Sequence, residues 1–204
     1  MKYIYDCVID GDVDGVISGV VRALDQGENP ETIINDVLIK AMDEVGSKMK
    51  SGEMFVPEVL ASAEAMKEGL LIVKPLIEGD SYSQGKVVIG TVAGDLHDIG
   101  KNLVAMLLES AGFEVVDLGV DLPTDKFLEA IAEHKPVVVG LSALLTTTMS
   151  AMRNTVKEIS QKYPDIKIIV GGAPVSQEFA DEIHAHGYAP DAAAAADLVK
   201  SVLN

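Results

Sequence analysis

The sequence predicts an α/β protein in two parts, a four-helix bundle followed by a five-stranded parallel sheet. Apolar residues recur at helical spacing through residues 1–80, whereas short Val- and Ile-rich runs alternate with helical stretches through residues 81–204. A polar, glycine-containing segment at 79–85 separates the two patterns. We therefore expect two domains, 1–80 and 81–204.

The first domain is predicted to contain four helices. After a short helix at the start of the chain, helices are expected over 12–25, 30–50 and 57–77, each with an apolar stripe. Pro30 suits a first helical position because its missing N–H has no intrahelical partner there. Pro75 is expected to end or bend the last helix. The Met and Leu side chains of these stripes are expected to form the bundle core.

The second domain is predicted to be a doubly wound sheet, because alternating strands and helices favour parallel strands covered on both faces. The predicted strands lie at 86–92, 114–118, 136–142 and 166–170, and a short fifth at 187–189 would complete a flavodoxin-like order. The predicted helices lie at 101–111, 124–134, 149–162, 176–184 and 192–203. The run VVVGL fits a central, doubly buried strand.

Charge and composition exclude several classes of function. The net charge of −16 disfavours nucleic acid as a partner, because an acidic surface repels phosphates. The one cysteine, Cys7, rules out an intrachain disulfide and a cysteine metal cluster. No apolar run approaches the ~20 residues of a membrane span, and the first residues lack a signal-peptide core. We expect a cytoplasmic protein with no membrane partner.

Four loops should meet at one edge of the sheet, since ligands of open α/β sheets bind where the strands end. The loop at 94–100 holds Asp95 and His97, and together the loops offer one imidazole, carboxylates, hydroxyls and glycines but no cluster of Lys or Arg. Glycines on one edge favour close approach of a bulky, flat or long ligand. The other three loops span 119–123, 142–149 and 171–174.

Motifs for some common chemistries are missing. Neither a G-x-x-x-x-G-K-[ST] nor a G-x-G-x-x-G loop is present, so ATP and dinucleotides are poorly supported. A Ser-His-Asp triad of Ser142, His97 and Asp95 is formally possible but lacks the G-x-S-x-G elbow. A zinc site would need further ligands, and the remaining histidines are expected on the surface at helix ends; they are His134, His184 and His186.

Three motifs in order resemble a known family. The hexapeptide D-x-H-x-x-G at 95–100 is followed by S-x-L at 142–144 and G-G at 171–172, and the set resembles the cobalamin-binding domain of methionine synthase-like proteins. The segment 45–70 is similar to that family's helical cap, so the resemblance covers nearly the whole chain. In size the chain resembles the stand-alone corrinoid protein of methyltransferase systems.

The resemblance implies a cobalamin cofactor, working as methylcobalamin and as a Co(I) corrinoid. His97 would be the lower axial ligand of cobalt, in place of the cofactor's own base. Asp95 would hydrogen-bond the other imidazole nitrogen, and Thr148 would hold Asp95. Threonine stands where the family often has serine, which keeps the hydroxyl. A carboxylate behind a ligating imidazole fixes its tautomer and tunes its basicity. Asp98 is expected to be a structural acid at a helix start.

The resemblance also implies further contacts with the cofactor. The nucleotide tail would enter the sheet edge, although the segment 184–188 departs from the family's pattern. An apolar cap would cover the methyl face and move aside for transfer, with 79–85 as the hinge. The implied contact residues are Gly100, Ser142, Leu144, Thr146, Gly171, Gly172 and Tyr188 in the second domain, and Met54, Phe55 and Val59 in the cap.

The function implied is that of a methyl carrier that is not catalytic alone. It would take a methyl group from a substrate-specific methyltransferase acting on a methylamine, betaine, methanol or methoxylated aromatic. It would deliver the group to an acceptor methyltransferase using tetrahydrofolate or coenzyme M, and a reductive activator would rescue Co(II). Three alternatives stay open: a cobalamin-dependent sensor or regulator, the small subunit of an adenosylcobalamin mutase, and a flavodoxin-like module without cobalamin.

Overall fold

The computed structural model describes residues 1–77 and 83–203 and divides into two compact units. One unit comprises Met1–Gln84 with Glu109–Gly112, and the other comprises Gly85–Leu108 with Phe113–Asn204. We refer to residues 1–77 as the helical unit and to residues 85–203 as the sheet unit. The predicted domain boundary after residue 80 and much of the predicted hinge lie outside the described residues.

The helical unit consists of four helical stretches along the chain. The third stretch was predicted as one regular helix, but a segment near its start is π-helical and buries two pairs of apolar side chains, Ile33 with Ile34 and Val37 with Leu38. The helices are α1 (Lys2–Asp10), α2 (Val13–Asp25), α3 (Pro30–Thr32), the π-helical segment Ile33–Leu38, α4 (Ile39–Ser51), α5 (Val56–Val73) and the 3-10 turn Lys74–Leu76.

Side chains at the helix starts explain where the helices of this unit begin. The Asp12 carboxylate accepts a hydrogen bond from the Gly15 N–H at 2.9 Å and caps α2. Asn29 caps α3 in the same way, with Pro30 at a first-turn position. The interior is apolar, as the stripes predicted; its fully buried side chains include Val8, Val16, Val20, Ile33, Ile34, Leu38, Val45 and Val59.

The sheet unit contains five parallel strands in the order β2-β1-β3-β4-β5. This order confirms the predicted α/β class, with a helical bundle followed by a flavodoxin-like parallel sheet. The prediction of β5 matches the structure, whereas the other strands differ from prediction by one or two residues at one end or, for β4, by one residue at both ends. The strands are β1 (Lys86–Thr91), β2 (Glu114–Asp117), β3 (Val138–Ser142), β4 (Lys167–Gly171) and β5 (Gly187–Ala189).

Helices and buried side chains cover the sheet. Val88, Val139 and Ile168 from neighbouring strands belong to one buried apolar cluster with side chains of the connecting helices. None of the described helices is long and apolar enough to cross a membrane. The helices are α6 (Ile99–Ser110), α7 (Thr124–His134), the 3-10 turn Thr146–Thr148, α8 (Met149–Lys162), α9 (Gln177–Glu182) and α10 (Ala192–Leu203).

The strand register brings the carboxyl ends of four strands into one row. Thr91 pairs with Ser142, Ser142 with Gly171, and Gly171 with Ala189. The chain leaves β1 for β2 on one side, whereas β3 lies on the other side of β1. The gap between β1 and β3 is therefore the topological switch point, where ligands of such sheets bind. The loop with His97 begins there.

Candidate cofactor site around His97

The loop between β1 and α6 carries Asp95 and His97 and is fixed to the end of the sheet. The hydroxyl of Thr91, the last residue of β1, donates to the His97 carbonyl at 2.9 Å. Thr91 is fully buried, so this hydrogen bond also satisfies a polar group that water does not reach. The backbone that carries the imidazole is therefore held by the strand that precedes it.

Asp95 and His97 form a close side-chain pair. The Asp95 Oδ1 atom lies 2.7 Å from His97 Nδ1 and also accepts the His97 backbone N–H at 3.1 Å. The Asp95 side chain is fully buried, whereas that of His97 is 51% exposed. A carboxylate at Nδ1 favours the tautomer with its proton on Nδ1, which leaves a lone pair on Nε2. In the described part of the chain, no hydrogen bond reaches Nε2.

The second oxygen of Asp95 ties the histidine loop to the loop after β3. Oδ2 accepts hydrogen bonds from the backbone N–H groups of Leu144 at 2.7 Å and Leu145 at 3.1 Å, and from the Thr148 hydroxyl at 2.9 Å. Thr148 is itself buried. Thr148, Asp95 and His97 are thus brought together in one chain of contacts, from the interior of the sheet unit to an exposed imidazole.

These contacts keep the Asp95 carboxyl ionised. Burial by itself would raise its pKa, but hydrogen bonds from the His97 ring, the Leu144 N–H and the Thr148 hydroxyl together hold the pKa of Asp95 well below its usual range. An ionised carboxylate behind an imidazole increases the basicity of the opposite nitrogen. The arrangement can therefore present a neutral, electron-rich nitrogen to a metal ion from outside.

The glycines of the motifs have two different roles. A Cβ at Gly172 would lie 1.8 Å from the Ala143 carbonyl oxygen, and the φ angle of Gly172 is +119°. Contact between two loops of the protein itself therefore requires glycine at this position. At Gly100, by contrast, an added Cβ would meet nothing within 4 Å. The open space beside Gly100 leaves room for a ligand at the first turn of α6.

Large apolar side chains close to His97 in the sequence are exposed. Leu96 is 71% exposed and Ile99 87% exposed, and both lie within the D-x-H-x-x-G motif. Leu144 is also exposed, and its backbone holds Asp95. Large apolar side chains that are exposed together mark a candidate binding surface. Leu96 and Ile99 were not among the predicted contact residues; their apolar character at motif positions is the signal that could have identified them.

The remaining predicted contact residues lie at several positions. Ser142 and Gly171 end adjacent strands in the same row, and Tyr188 pairs with Val170 one step before that row. Thr146 is exposed at the start of the 3-10 turn. In the helical unit, Phe55 is 68% exposed, Met54 is nearly buried and Val59 is fully buried. The contact of these three cap residues with a cofactor stays a prediction.

The alternative chemistries find little support in the described residues. Within 1–77 and 83–203, no hydrogen bond links Ser142 to His97, and no group of three His, Cys, Asp or Glu side chains is arranged to hold a metal ion. His186 is exposed, but its Nδ1 accepts the Ile168 N–H at 3.1 Å at the edge of β4. Desolvation lowers the pKa of His186, so this ring is expected to be neutral.

A nearly buried lysine joins the start of α6 to the end of β2. The Lys101 side chain is only 3% exposed, and its ammonium forms a short ion pair with Asp117 and donates to the Asn102 side chain at 2.7 Å. A buried ammonium needs such partners, because removal from water is costly. Lys101 was predicted only as the start of a helix. A lysine inside an apolar helix pattern, together with an aspartate at a strand end, was the signal that could have indicated this ion pair.

Two family models match the chain, and both describe a B12 binding domain. One match covers residues 85–197, which include the strands and the histidine loop, and the other covers residues 2–74. The first match alone spans more than half of the chain. Its residues hold the Asp95–His97 pair and the row of strand ends described above.

Known relatives cover almost the full length of the chain. A corrinoid protein of Desulfitobacterium hafniense is 41% identical over 96% of this chain and 94% of its own. The trimethylamine corrinoid protein of Methanosarcina barkeri is 45% identical over 90% and 87%. In a solved structure, the methanol:cobalamin methyltransferase complex of Methanosarcina barkeri, one chain matches with a TM-score of 0.89 and 34% identity over 98% of this chain and 78% of its own. The chain therefore belongs to the family of corrinoid proteins with B12-binding domains.

Proposed function

We propose that this protein is a methyl carrier that binds a corrinoid with His97 as the lower axial ligand of cobalt. The observation that carries the proposal is the preformed pair in which a buried carboxylate holds Nδ1 and leaves Nε2 without a partner among the described residues. A bound corrinoid would supply the cobalt centre that takes up and releases the methyl group. Imidazole is a suitable ligand for such a transition metal.

The protein residues behind His97 would set its position and basicity. Asp95 would fix the tautomer through its 2.7 Å contact with Nδ1. Thr148 and the N–H groups of Leu144 and Leu145 would keep that carboxylate ionised and oriented. Because the Asp95–His97 pair is formed within the protein itself, Nε2 is offered without a change of rotamer.

Other residues would bind the rest of the corrinoid. The open space at Gly100 would admit the ring beside the histidine loop, and exposed Leu144 would contact its apolar surface. The end of the sheet would receive the nucleotide tail, with Ser142, Thr146, Gly171, Gly172 and Tyr188 as its neighbours. Exposed Phe55, with Met54 and Val59, would belong to the cap over the opposite face and limit the access of water.

The proposed partners are two methyltransferases and a reductive activator. The names of the relatives refer to trimethylamine and methanol, so the donor proposed here is a small methylated amine or alcohol presented by its own methyltransferase. An acceptor methyltransferase, using tetrahydrofolate or coenzyme M, would receive the methyl group. A separate protein would reduce cobalt that had been oxidised to Co(II). All of these partners would meet the carrier in the cytoplasm.

Incubation of the purified protein with hydroxocobalamin, followed by desalting, tests the proposal. Absorption should show about one retained corrin per chain, and the reduced Co(II) form should give an electron paramagnetic resonance signal split by one axial nitrogen. In protein labelled with ¹⁵N-histidine, the splitting in the parent and in His134→Ala, which changes a histidine far along the chain on α7, should turn from triplets into doublets. The splitting in His97→Ala should not respond to the label, because an axial nitrogen in that variant would come from the cofactor's own base. A protein that retains no corrin, or a parent splitting that does not respond to the label, would refute the proposal.

A further inference from the structure

We propose that Asp121 is a positioning residue, which braces the turn that carries Asp95 and His97. The proposal deepens the function above and rests on it for any effect at cobalt. Asp121 lies in the loop between β2 and α7, well separated in sequence from the histidine motif. Neither its exposed position nor its residue type had marked it for a role.

Asp121 contacts the turn with both its side chain and its backbone. Its Oδ1 atom accepts a hydrogen bond from the Gly94 N–H at 2.7 Å, and its own N–H donates to the Asp95 carbonyl at 2.9 Å. The two bonds run in opposite directions and flank the Gly94–Asp95 peptide. One residue therefore restrains the backbone immediately before the histidine pair, on both sides of a single peptide unit.

The backbone of Asp121 takes a conformation that few residues adopt. Its φ angle is +55°, and it is one of three residues other than glycine with positive φ among those described. Asp tolerates this region better than most side chains but still at some cost in free energy. The strain is balanced by the two hydrogen bonds, which require the carboxylate and the N–H to point to the same turn. Such strain at a sheet edge often accompanies function.

The neighbours of Asp121 anchor the brace to the sheet. The Leu122 N–H donates to the Thr91 carbonyl at 3.1 Å, and Leu122 forms an isolated parallel bridge with Val92. Thr91 in turn donates its hydroxyl to the His97 carbonyl. The turn is thus held between the end of β1 and the loop after β2. A shift of Asp121 would therefore move Gly94 and the Asp95 carbonyl, and with them the backbone that carries the Asp95 side chain.

The brace acts on different atoms from the contacts that hold the Asp95 side chain. The Asp95 carboxylate is held by Leu144, Leu145 and Thr148 after β3, whereas Asp121 holds backbone atoms from the opposite side of β1. Loss of Asp121 should therefore loosen the histidine loop without removing the pair itself. The expected effect is a weaker and less uniform ligation rather than its loss.

The brace can be tested by Asp121→Gly, which keeps the positive φ and removes the acceptor. In Asp121→Asn the amide oxygen still accepts, and Asp125→Asn on α7 is a matched control for the loss of one nearby charge. In the protein without corrinoid, the Gly94 amide should exchange its hydrogen about tenfold faster in Asp121→Gly and within about twofold of the parent in the other two. Unchanged exchange of Gly94 in Asp121→Gly would overturn the proposal.

The same variants loaded with hydroxocobalamin report on positioning. Asp121→Gly should bind the corrin about tenfold more weakly, and a smaller fraction of its Co(II) signal should show splitting by the labelled histidine nitrogen, while its melting temperature stays close to that of the parent. Full splitting and parent affinity in Asp121→Gly would contradict the proposal. A merely structural role would lower the melting temperature and leave the nitrogen-split fraction unchanged, which also contradicts it.

Two further measurements distinguish a failure of the brace from a failure of the proposed function or of a variant to fold. If the parent protein shows no axial nitrogen, the proposed function fails, and the Gly94 exchange in the unloaded protein still decides whether Asp121 braces the turn. If Asp121→Gly does not fold, a through-hydrogen-bond scalar coupling between the Gly94 amide nitrogen and the Asp121 carboxylate carbon in the parent decides the same point. Presence of this coupling supports the brace, and its absence overturns it.

Discussion

The helical unit and the sheet unit differ in what they bury. Among described residues 1–77, the only buried polar side chain is Ser62, whose hydroxyl donates to the Ile9 carbonyl at 3.0 Å. Residues 83–203 bury six, and three of these, Thr91, Asp95 and Thr148, hold the loop of His97. The helical unit is stabilised by apolar packing, whereas the sheet unit also maintains a polar network at one edge.

This difference shows where the sequence is constrained by more than folding. A buried polar group destabilises a fold unless it is hydrogen-bonded, so a concentration of such groups needs a reason beyond stability. For Thr91, Asp95 and Thr148 that reason is one half-exposed imidazole, to whose loop these three groups are connected. The helical unit has no such network. Its predicted cofactor contact at Phe55 is instead an exposed apolar side chain.

The largest expected effect comes from Gly172→Ala in the sheet unit. The new Cβ would overlap the Ala143 carbonyl oxygen at a positive φ, so we expect a loss of about 3–5 kcal/mol in the free energy of unfolding. Because Ala143 precedes Leu144, the variant should also disturb the hold on Asp95. Denaturant unfolding measures the loss.

Gly27→Ala in the helical unit is the matched control for this substitution. Gly27 also has a positive φ of +82°, but an added Cβ would meet nothing within 4 Å. Only backbone strain is expected, at about 1–2 kcal/mol. Equal losses in the two variants would show that the close approach of the loops at Gly172 is not needed for stability.

A smaller effect is expected from Asp95→Asn. An amide cannot accept all of the hydrogen bonds that the carboxylate receives, so we expect a loss of about 2–3 kcal/mol near neutral pH. Ser62→Ala, which removes the buried hydroxyl of the helical unit, should cost about 1 kcal/mol. Chemical denaturation of both variants measures the difference, and a larger loss in Ser62→Ala would reverse the comparison of the two units.

The Asp95 contribution should also depend on pH. Its pKa is lower in the folded protein than the usual value of 3.8, so its ionised form stabilises the fold above that value. The difference in stability between the parent and Asp95→Asn should be constant from about pH 5 to 8 and shrink as the pH falls below about 4. A difference that grew on acidification would mean that the carboxyl is protonated in the folded state.

The smallest effect on stability is expected from Gly100→Ala. Gly100 is exposed in the first turn of α6 with open space beside it, so alanine should stabilise the fold slightly, by about 0.5 kcal/mol. Retention of hydroxocobalamin should nevertheless fall, because the added methyl group would occupy the space proposed for the corrin. A gain in stability with full retention would show that this space is not part of the site.

The sequence alone determined the alternation of elements and the central pair of the candidate site. Periodicity placed α7, α8 and α10 at their observed bounds, because long apolar patterns and clear helix ends depend on nearby residues. The short strand β5 was expected at 187–189 because it completes a flavodoxin-like order. The family resemblance implied contact between Asp95 and His97, and the D-x-H spacing allows it, since residues two apart on a turn can meet directly. Leu96, between the two residues, and Ile99, after them, were visible in the sequence, but their exposure was not.

Tertiary structure alone decided which distant groups support that pair, apart from Thr148, whose contact with Asp95 the family resemblance implied. The Gly94 N–H donates a hydrogen bond to the carboxylate of Asp121, which lies in another loop. The backbone at Gly172 lies so close to the Ala143 carbonyl that no side chain fits there. The partners of Lys101 and the π-helical turn at Ile33–Leu38 were equally unpredicted. The physical reason is that a hydrogen bond or a close approach between loops depends on strand order and register, which bring together residues whose local sequences contain no sign of each other.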